Sequence, residues 1–474
     1  MILLPVFARK AATLPRLANL APPTAHLASL SSGEPRAEEE GGNVARDWHN
    51  WARTASASPV DVIAATDAGQ ISEVVVRAAE AGRTVRMVGS GHSFTTTAVA
   101  NDIMITPGSL TGIRSVDAAG GRITVEAGID LTTLCEVLEA NGLALTNMGD
   151  VRVQTMAGAL QTGTHGAGRA SGTFAEMVTE LEMVLADGSI VTVNAHNDPD
   201  LFNSARVGLG AFGIVTAITL AVEPKFRLHA HEFPAMIEDV QQNFDSWTAN
   251  HDHVEFYWFP HTDRCLVKHN DRTYDAAEPP GKFANWWEER FISNTVFGAM
   301  CRLGRAAPGY IPLLNKTAGR VISERDYVDD SWLVFTSPRN VKFKEMEYSL
   351  PRDSLMPALT RVRKLIADRH WRISFPIEVR SVPGDSAWLS PATERDTGYL
   401  AFHAFDRTDH EWFVDVENVL REYNGRPHWG KMHTRTHDDL SAAYPRWKDA
   451  LAVRDRVDPH RVFANDYTRT VLGE

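Results

Sequence analysis

Residues 84–94 read Thr84-Val85-Arg86-Met87-Val88-Gly89-Ser90-Gly91-His92-Ser93-Phe94, and the fold is decided at the turn in the middle of them. The apolar alternation from Thr84 to Val88 predicts a strand, and Gly89 and Gly91 let the next backbone amides approach a ligand without side-chain obstruction, a geometry that suits a pyrophosphate. Upstream, Ile71, Val74, Val75 and Ala78 recur at helical spacing behind Thr66 and Asp67, and Gly82 closes that helix before the strand. A lone G-x-G of this kind is also an ordinary tight turn, because a continuing G-x-G-x-x-G is missing.

A second segment, Ala157-Gly158-Ala159-Leu160-Gln161-Thr162-Gly163-Thr164-His165-Gly166-Ala167-Gly168, changes that balance. It is poor helix and poor core, so it reads either as a flexible loop or as backbone clamping a large flat cofactor and its phosphates. A third small-residue cluster, Gly208 to Ile214, precedes a strand and offers further amides.

Working outward, Asp130 caps a predicted helix carrying Leu131, Leu134 and Leu138, after a strand from Ile123 to Glu126. Asp187-Gly188 predicts a type I′ hairpin turn. A strand from Ile214 to Val222 ends at Pro224, where a domain boundary is expected. Beyond it, strands are expected at Val254 to Phe259 and Ser374 to Val379, with a helix from Met356 to Arg369 between them. Regular βαβ alternation is absent, so two α+β domains are expected, over residues 56–224 and 225–474. Residues 1–47 form a tail, unstructured or targeting-like: the first 33 are rich in Leu, Ala, Pro and Ser, with basic but no acidic residues.

The 474 residues are 43% hydrophobic and 23% charged, a globular balance, and the net charge of −12 gives no basic footprint for nucleic acid. Cys135, Cys265 and Cys301 lie far apart and read as reduced thiols. No apolar run approaches the ~20 residues of a membrane span. No HExxH or Cys/His cluster at ligand spacing is present, so no metal is expected, and Gly89-Ser90-Gly91 is too short for a G-x-S-x-G hydrolase elbow. Trp286, Trp287 and Trp332 read as packing residues.

Glu378 and Arg380, two apart on an apolar strand, share one face, which is costly in a core unless the charges are paired or functional. Lys431 lies in a Gly, Pro and Trp loop, where the alternative is a solvated surface lysine. Together with the glycine loops, Phe375-Pro376-Ile377-Glu378-Val379-Arg380, Arg426-Pro427-His428-Trp429-Gly430-Lys431 and the close around Asp458 to Tyr467 make the chain resemble the vanillyl-alcohol-oxidase-type flavoproteins. Within them it resembles the sugar lactone oxidases and dehydrogenases. The resemblance runs from Trp48 to Gly473.

The resemblance implies a PCMH-type FAD-binding domain followed by an α+β substrate domain. It implies FAD held by Val88, Gly89, Ser90, Gly91, His92 and Ser93, by Gly149, Thr155, Gly158, Thr162, Gly163, His165 and Gly166, and by Gly213 and Ile214, with His92 bonded covalently to the flavin. The implied reaction oxidises the C2 hydroxyl of an L-gulono- or D-arabinono-1,4-lactone, the hydride passing to flavin N5 and the hydroxyl proton to a base. Arg380 and Lys431 are the candidate cations for the charge that develops, Glu378 orients the hydroxyl or accepts its proton, and His403 lies beside the substrate. Oxygen, a redox protein or a quinone would take the electrons, and Gly149 leaves space that would admit oxygen. Phe405, where alditol oxidases carry a hydroxyl-binding threonine, favours a lactone over a polyol. An alditol oxidase is the runner-up, and a sugar-acid-binding flavoprotein without turnover is the alternative of another class. A cytoplasmic location is expected, with membrane-surface association and a targeting segment left open.

Overall fold

The computed structural model describes residues 47–170, 172–281, 295–337, 341–406 and 408–474. The tail to residue 46 and the reading of Trp286 and Trp287 lie outside them. The described residues form one compact unit.

The first half builds two sheets. A three-stranded parallel sheet places Ile103–Thr106 between Asp61–Ala64 and Val85–Met87. The helix Ala68–Glu80 crosses over between its outer strands, capped by the Asp67 carboxylate accepting from Gln70 N–H, and buries Ile71, Val74, Val75 and Ala78, the stripe read from the sequence. A five-stranded antiparallel sheet follows in the order Ile190–Asn194, Val178–Val184, Ile214–Ala221, Arg122–Glu126, Ile113–Asp117. The helix Leu131–Ala140 starts at Asp130 as expected. The turn at Asp187-Gly188 is not type I′: only Gly188 has positive φ (+81°), its N–H reaches Leu185 O, and Leu185 N–H reaches Ser189 O, so the loop is longer than two residues and needs one left-handed position.

The second half is dominated by an eight-stranded sheet whose middle runs His253–Trp258, Ile377–Val382, Thr397–Phe405, Phe343–Pro351. The strand expected from Ser374 starts at Ile377, because the residues before it form a bend that ends at Pro376. One face packs on the helices Ile237–Asn250, Leu355–Asp368 and Trp412–Glu422 through Phe244, Leu359, Val362 and Val416. The opposite face looks toward the first half and is polar.

The chain then returns. Trp429, Leu440, Tyr444, Trp447 and Tyr467 pack into the core of the five-stranded sheet, and the last residues grip the first strand-loop unit. Val85 N–H donates to Val462 O at 2.8 Å, Arg86 Nη1 to Phe463 O at 2.9 Å, and Asn465 Nδ2 reaches Thr96 O, Thr97 O and Val99 O at 2.9–3.1 Å. Among the described residues no helix is long and apolar enough to cross a membrane. All three cysteines are buried and free.

Candidate active site

Two clefts meet at His92, Ser93, Gln154 and Thr162. The first, about 910 Å³, lies along Gly89 to Ser93 and is walled by Thr155, Gly158, Gly210, Gly213 and Ile214. Its floor follows from the small residues. A Cβ on Gly89 would stand 2.2 Å from Thr155 Oγ1, and Gly91 has φ +68°. Among the described residues no protein acceptor takes the backbone N–H of residues 89–93, so consecutive amides are available to an anionic group, as a nucleotide cofactor requires. Arg86 buttresses this wall. Its guanidinium donates to the carbonyls of Thr97, Leu209, Gly210 and Phe463, and burial, helped by Arg454, pushes it down to about 10.

The second cleft, about 700 Å³, opens over the polar sheet face. Strand register builds it: Glu345 lies opposite His403, Glu347 and Glu378 both lie opposite Ala401, and Arg380 lies opposite Glu255 and Tyr399. The small Ala401 between two glutamates leaves their carboxylates room on one face. Arg380 is the hub. Its Nε donates to Glu255 at 2.8 Å, and its Nη2 contacts Asp150 at 2.5 Å and also Glu378. Burial would lower Arg380, but Asp150, Glu378 and Glu255 outweigh it and hold the guanidinium well above its usual range. Lys431 pairs with Glu345 and lies over the Phe94 ring at 5.2 Å, so it is not a solvated lysine. His403 Nε2 lies 3.6 Å from Glu345.

A buried trio closes the cleft. His165 stacks on Tyr399 at 3.6 Å, with Nδ1 2.9 Å from Gly166 O and Nε2 3.1 Å from Glu347. Burial would raise Glu347, but His165, His428 and Lys431 outweigh it and hold the carboxyl well below the usual range. His428 accepts Gly430 N–H on Nδ1 and is pushed down to about 3, mainly by burial. With Nδ1 accepting, a neutral His428 carries its proton on Nε2, and its ring lies beside His165, the centroids 5.9 Å apart.

His433 is likewise pushed down to about 3 by burial and Arg435, with Nε2 facing Tyr467 Oη at 2.8 Å. These two rings stay neutral while the unfolded chain protonates near pH 6.5. Their folded values are depressed, so stability is full above pH 6.5 and falls as the pH drops toward 3. Two protons taken up only by the unfolded chain correspond to about 2.7 kcal/mol per pH unit near pH 5. Urea titrations at pH 7, 6 and 5 should show that decline, and a flat profile would mean both rings ionise in place.

Of the residues singled out from sequence, Gly89, Ser90, Gly91, His92, Ser93, Thr155, Gly158, Thr162, Gly213 and Ile214 line the first cleft. Gly149, His165, Glu378, Arg380, His403 and Lys431 line the second, as do His92, Ser93 and Thr162. Val88, Gly163 and Gly166 line neither: Val88 packs with Ala57, Ala100 and Met104, and a Cβ would meet Pro391 from Gly163 at 3.1 Å and Asn147 from Gly166 at 2.3 Å, so these glycines let loops pack closely. The space expected at Gly149 is also taken, since its Cβ would stand 3.0 Å from His165 O. Phe405 packs with Cys301 and Phe375 and does not line the cleft, so the argument from it against a polyol falls. Trp332 packs as expected, its Nε1 donating to Glu139. Sequence reasoning missed Glu345, Glu347, His428, Asp150 and Glu255.

A family model described as D-arabinono-1,4-lactone oxidase matches residues 218–471, and one described as FAD binding domain matches residues 59–194. L-gulono-1,4-lactone dehydrogenase of Mycobacterium tuberculosis is 37% identical over 427 residues, covering 90% of this chain and 99% of the relative. L-gulonolactone oxidase of Bos taurus is 30% identical over 433 residues (90% and 98%), and alditol oxidase of a Streptomyces species 29% over 437 residues (89% and 98%). A cholesterol oxidase variant from Brevibacterium sterolicum superposes with a TM-score of 0.73 at 19% identity, over 90% of this chain and 96% of that one. With the amide-lined cleft joined to the charged one, these matches make the chain a member of the D-arabinono-1,4-lactone oxidase family, an FAD-dependent oxidoreductase of the vanillyl-alcohol-oxidase type with a PCMH-type FAD domain.

Proposed function

We propose that the protein oxidises the C2 hydroxyl of an aldono-1,4-lactone, L-gulono- or D-arabinono-1,4-lactone, in the second cleft. The observation that carries this is the convergence of Arg380, Glu378, Lys431 and His403 beside His92 where the two clefts join. The names of the relatives support the substrate class. Residues 56–224 hold the cofactor and residues 225–474 the substrate, with the C-terminal return completing the cofactor side.

The residues of the first cleft would hold FAD, and FAD supplies the two-electron acceptor. Arg380 and Lys431 orient the substrate oxygens and stabilise negative charge as the hydroxyl loses its proton. Glu378 positions that hydroxyl through its pairing with Arg380. His403, beside Glu345, borders the ring of the substrate. His92 carries the covalent flavin bond: burial and Lys431 lower its affinity for a proton, and a neutral ring nitrogen is the nucleophile such a bond needs. The electrons pass on to oxygen or to a redox protein or quinone, the last of which would place the enzyme at a membrane surface.

Anaerobic bleaching of the flavin band tests the substrate. L-gulonolactone or D-arabinonolactone should bleach it and xylitol should not; bleaching by xylitol alone would make the chain an alditol oxidase, and no bleaching by any would favour a binding protein. In the same preparation, acid precipitation should release flavin from His92→Ala and not from the unaltered protein. Release from both would remove the covalent link and leave FAD binding intact.

A further inference from the structure

Ahead of the first parallel strand, Trp48–His49 pairs with Ser56–Ala57 in a short antiparallel hairpin, none of whose residues lines either cleft. Its tip turns through Arg53 at φ +57° and is tied by Asn50, whose Oδ1 accepts Ala55 N–H at 3.1 Å. The hairpin closes on the glycine loop carbonyl by carbonyl. Trp51 N–H donates to Gly91 O at 2.8 Å, Asn50 Nδ2 to Ser93 O at 2.8 Å, and Thr54 Oγ1 to Phe94 O at 2.8 Å. Asn50 is buried, and its Nδ2 also reaches Thr54 Oγ1 at 2.7 Å. The Trp48 ring would stand 3.3 Å from a Cβ on Gly91. The backbone on both sides of His92 is thus fixed from outside the cofactor cleft.

The side chain of His92 is held in another way. Among the described residues it makes no side-chain hydrogen bond, and the ring it meets is the indole of Trp51, stacked with 5.5 Å between centroids and 24° between planes. That indole is propped edge-on by Phe343 at 5.5 Å and Phe94 at 6.4 Å, with Lys342 Nζ 6.0 Å from its centre. An imidazole on a loop has two side-chain torsions to settle. The bonds at Gly91 and Ser93 set its Cα, and the stacked plane limits the turn of its ring. Because Trp51 lines neither cleft, what it does for the cofactor it does through His92.

We infer that Trp51 is a positioning residue that aims the His92 ring for its bond to the flavin. The inference rests on the covalent reading of His92. In that step His92 joins a ring nitrogen to the 8-methyl carbon of the flavin, and one C–H bond of that methyl breaks. The methyl proton and the imidazole N–H proton leave to water. The electron pair of the broken bond stays on the flavin and passes to molecular oxygen, which with two protons becomes hydrogen peroxide. Orientation governs such a step, because the nitrogen lone pair must lie along the line to one carbon.

The test separates bound flavin from bonded flavin in the purified holoenzyme. Absorbance gives total flavin per chain, and acid precipitation followed by flavin fluorescence on a denaturing gel gives the covalent share. Trp51→Leu and Trp51→Gln keep the backbone bond to Gly91 O and remove the ring. Both should still hold flavin, with the covalent share reduced at least about tenfold. Trp51→Phe, which restores a stacking plane, should keep most of it. A full covalent share in the Leu and Gln variants overturns the inference, as does an equal loss in the Phe variant. Total flavin falling in step with covalent flavin, or failure of both ring-less variants to fold, makes Trp51 a packing residue and overturns it too. In all these cases the covalent reading stands; release of flavin from the unaltered protein defeats that reading itself, and the inference with it.

Discussion

Arg380→Lys should slow lactone-driven flavin reduction by about 10²–10³-fold while flavin stays bound. The charge is kept, so the effect isolates geometry. One planar guanidinium bonds Glu255 through Nε and meets Asp150 and Glu378 through Nη2. An ammonium on a flexible stem cannot serve three buried oxygens in fixed directions and still face a substrate. Buried contacts of the guanidinium are lost, so stability should fall as well, by about 1–3 kcal/mol. Stopped-flow reduction measures the first effect and urea titration the second. An undiminished rate would take Arg380 out of the chemistry and leave it a structural ion pair.

Gly89→Ala should yield protein with at least about tenfold less bound flavin. The new methyl would sit 2.2 Å from Thr155 Oγ1 and 3.3 Å from Thr155 Cβ, and Thr155 cannot step aside because its hydroxyl accepts Gly158 N–H at the start of the helix Met156–Gln161. Either the loop 89–93 shifts, taking its amides with it, or the helix loses its cap, worth about 1 kcal/mol. Both changes reach the cofactor cleft and leave the substrate cleft's charges alone. Flavin content from the absorbance ratio reads the loss, and a preserved far-ultraviolet dichroism spectrum separates it from misfolding. Adding Thr155→Ala should restore part of the flavin, since it removes the nearest clashing atom. Full flavin content in Gly89→Ala would mean the loop relaxes freely.

The loop 89–93 was legible because close approach and positive φ demand glycine; the run 157–168, read as poor helix and poor core, instead begins within the helix Met156–Gln161 and buries Ala159, Leu160 and His165. Glu378 and Arg380 were legible because two charges on an apolar strand break its pattern. Glu345 and Glu347 were not, although they lie on the strand Phe343–Pro351 at the same spacing. There Glu345 and Glu347 alternate with Met346 and Tyr348, as in any strand with one solvated face. Only the pairing of that strand next to Thr397–Phe405 turns its charged face inward. His428 was hidden for another reason: its use depends on Nδ1 accepting an N–H two residues away, a property of loop geometry. Gly149 and Phe405 show the converse error, where a side chain's size was judged without knowing which way its Cβ points.

The grip of Val462, Phe463 and Asn465 on residues 85–99 bears on the making of the protein. The glycine loop is synthesised early, yet the groups that hold its strand and the following turn come some 370 residues later. At about 5–20 residues per second that interval is on the order of 20–70 s. Through it the loop waits without its clamp, so cofactor capture belongs after Val462, Phe463 and Asn465 have been made and folded back. Flavin supply during expression should then govern how much active enzyme accumulates, and a C-terminal truncation short of Val462 should give chains that are made in full and never turn yellow.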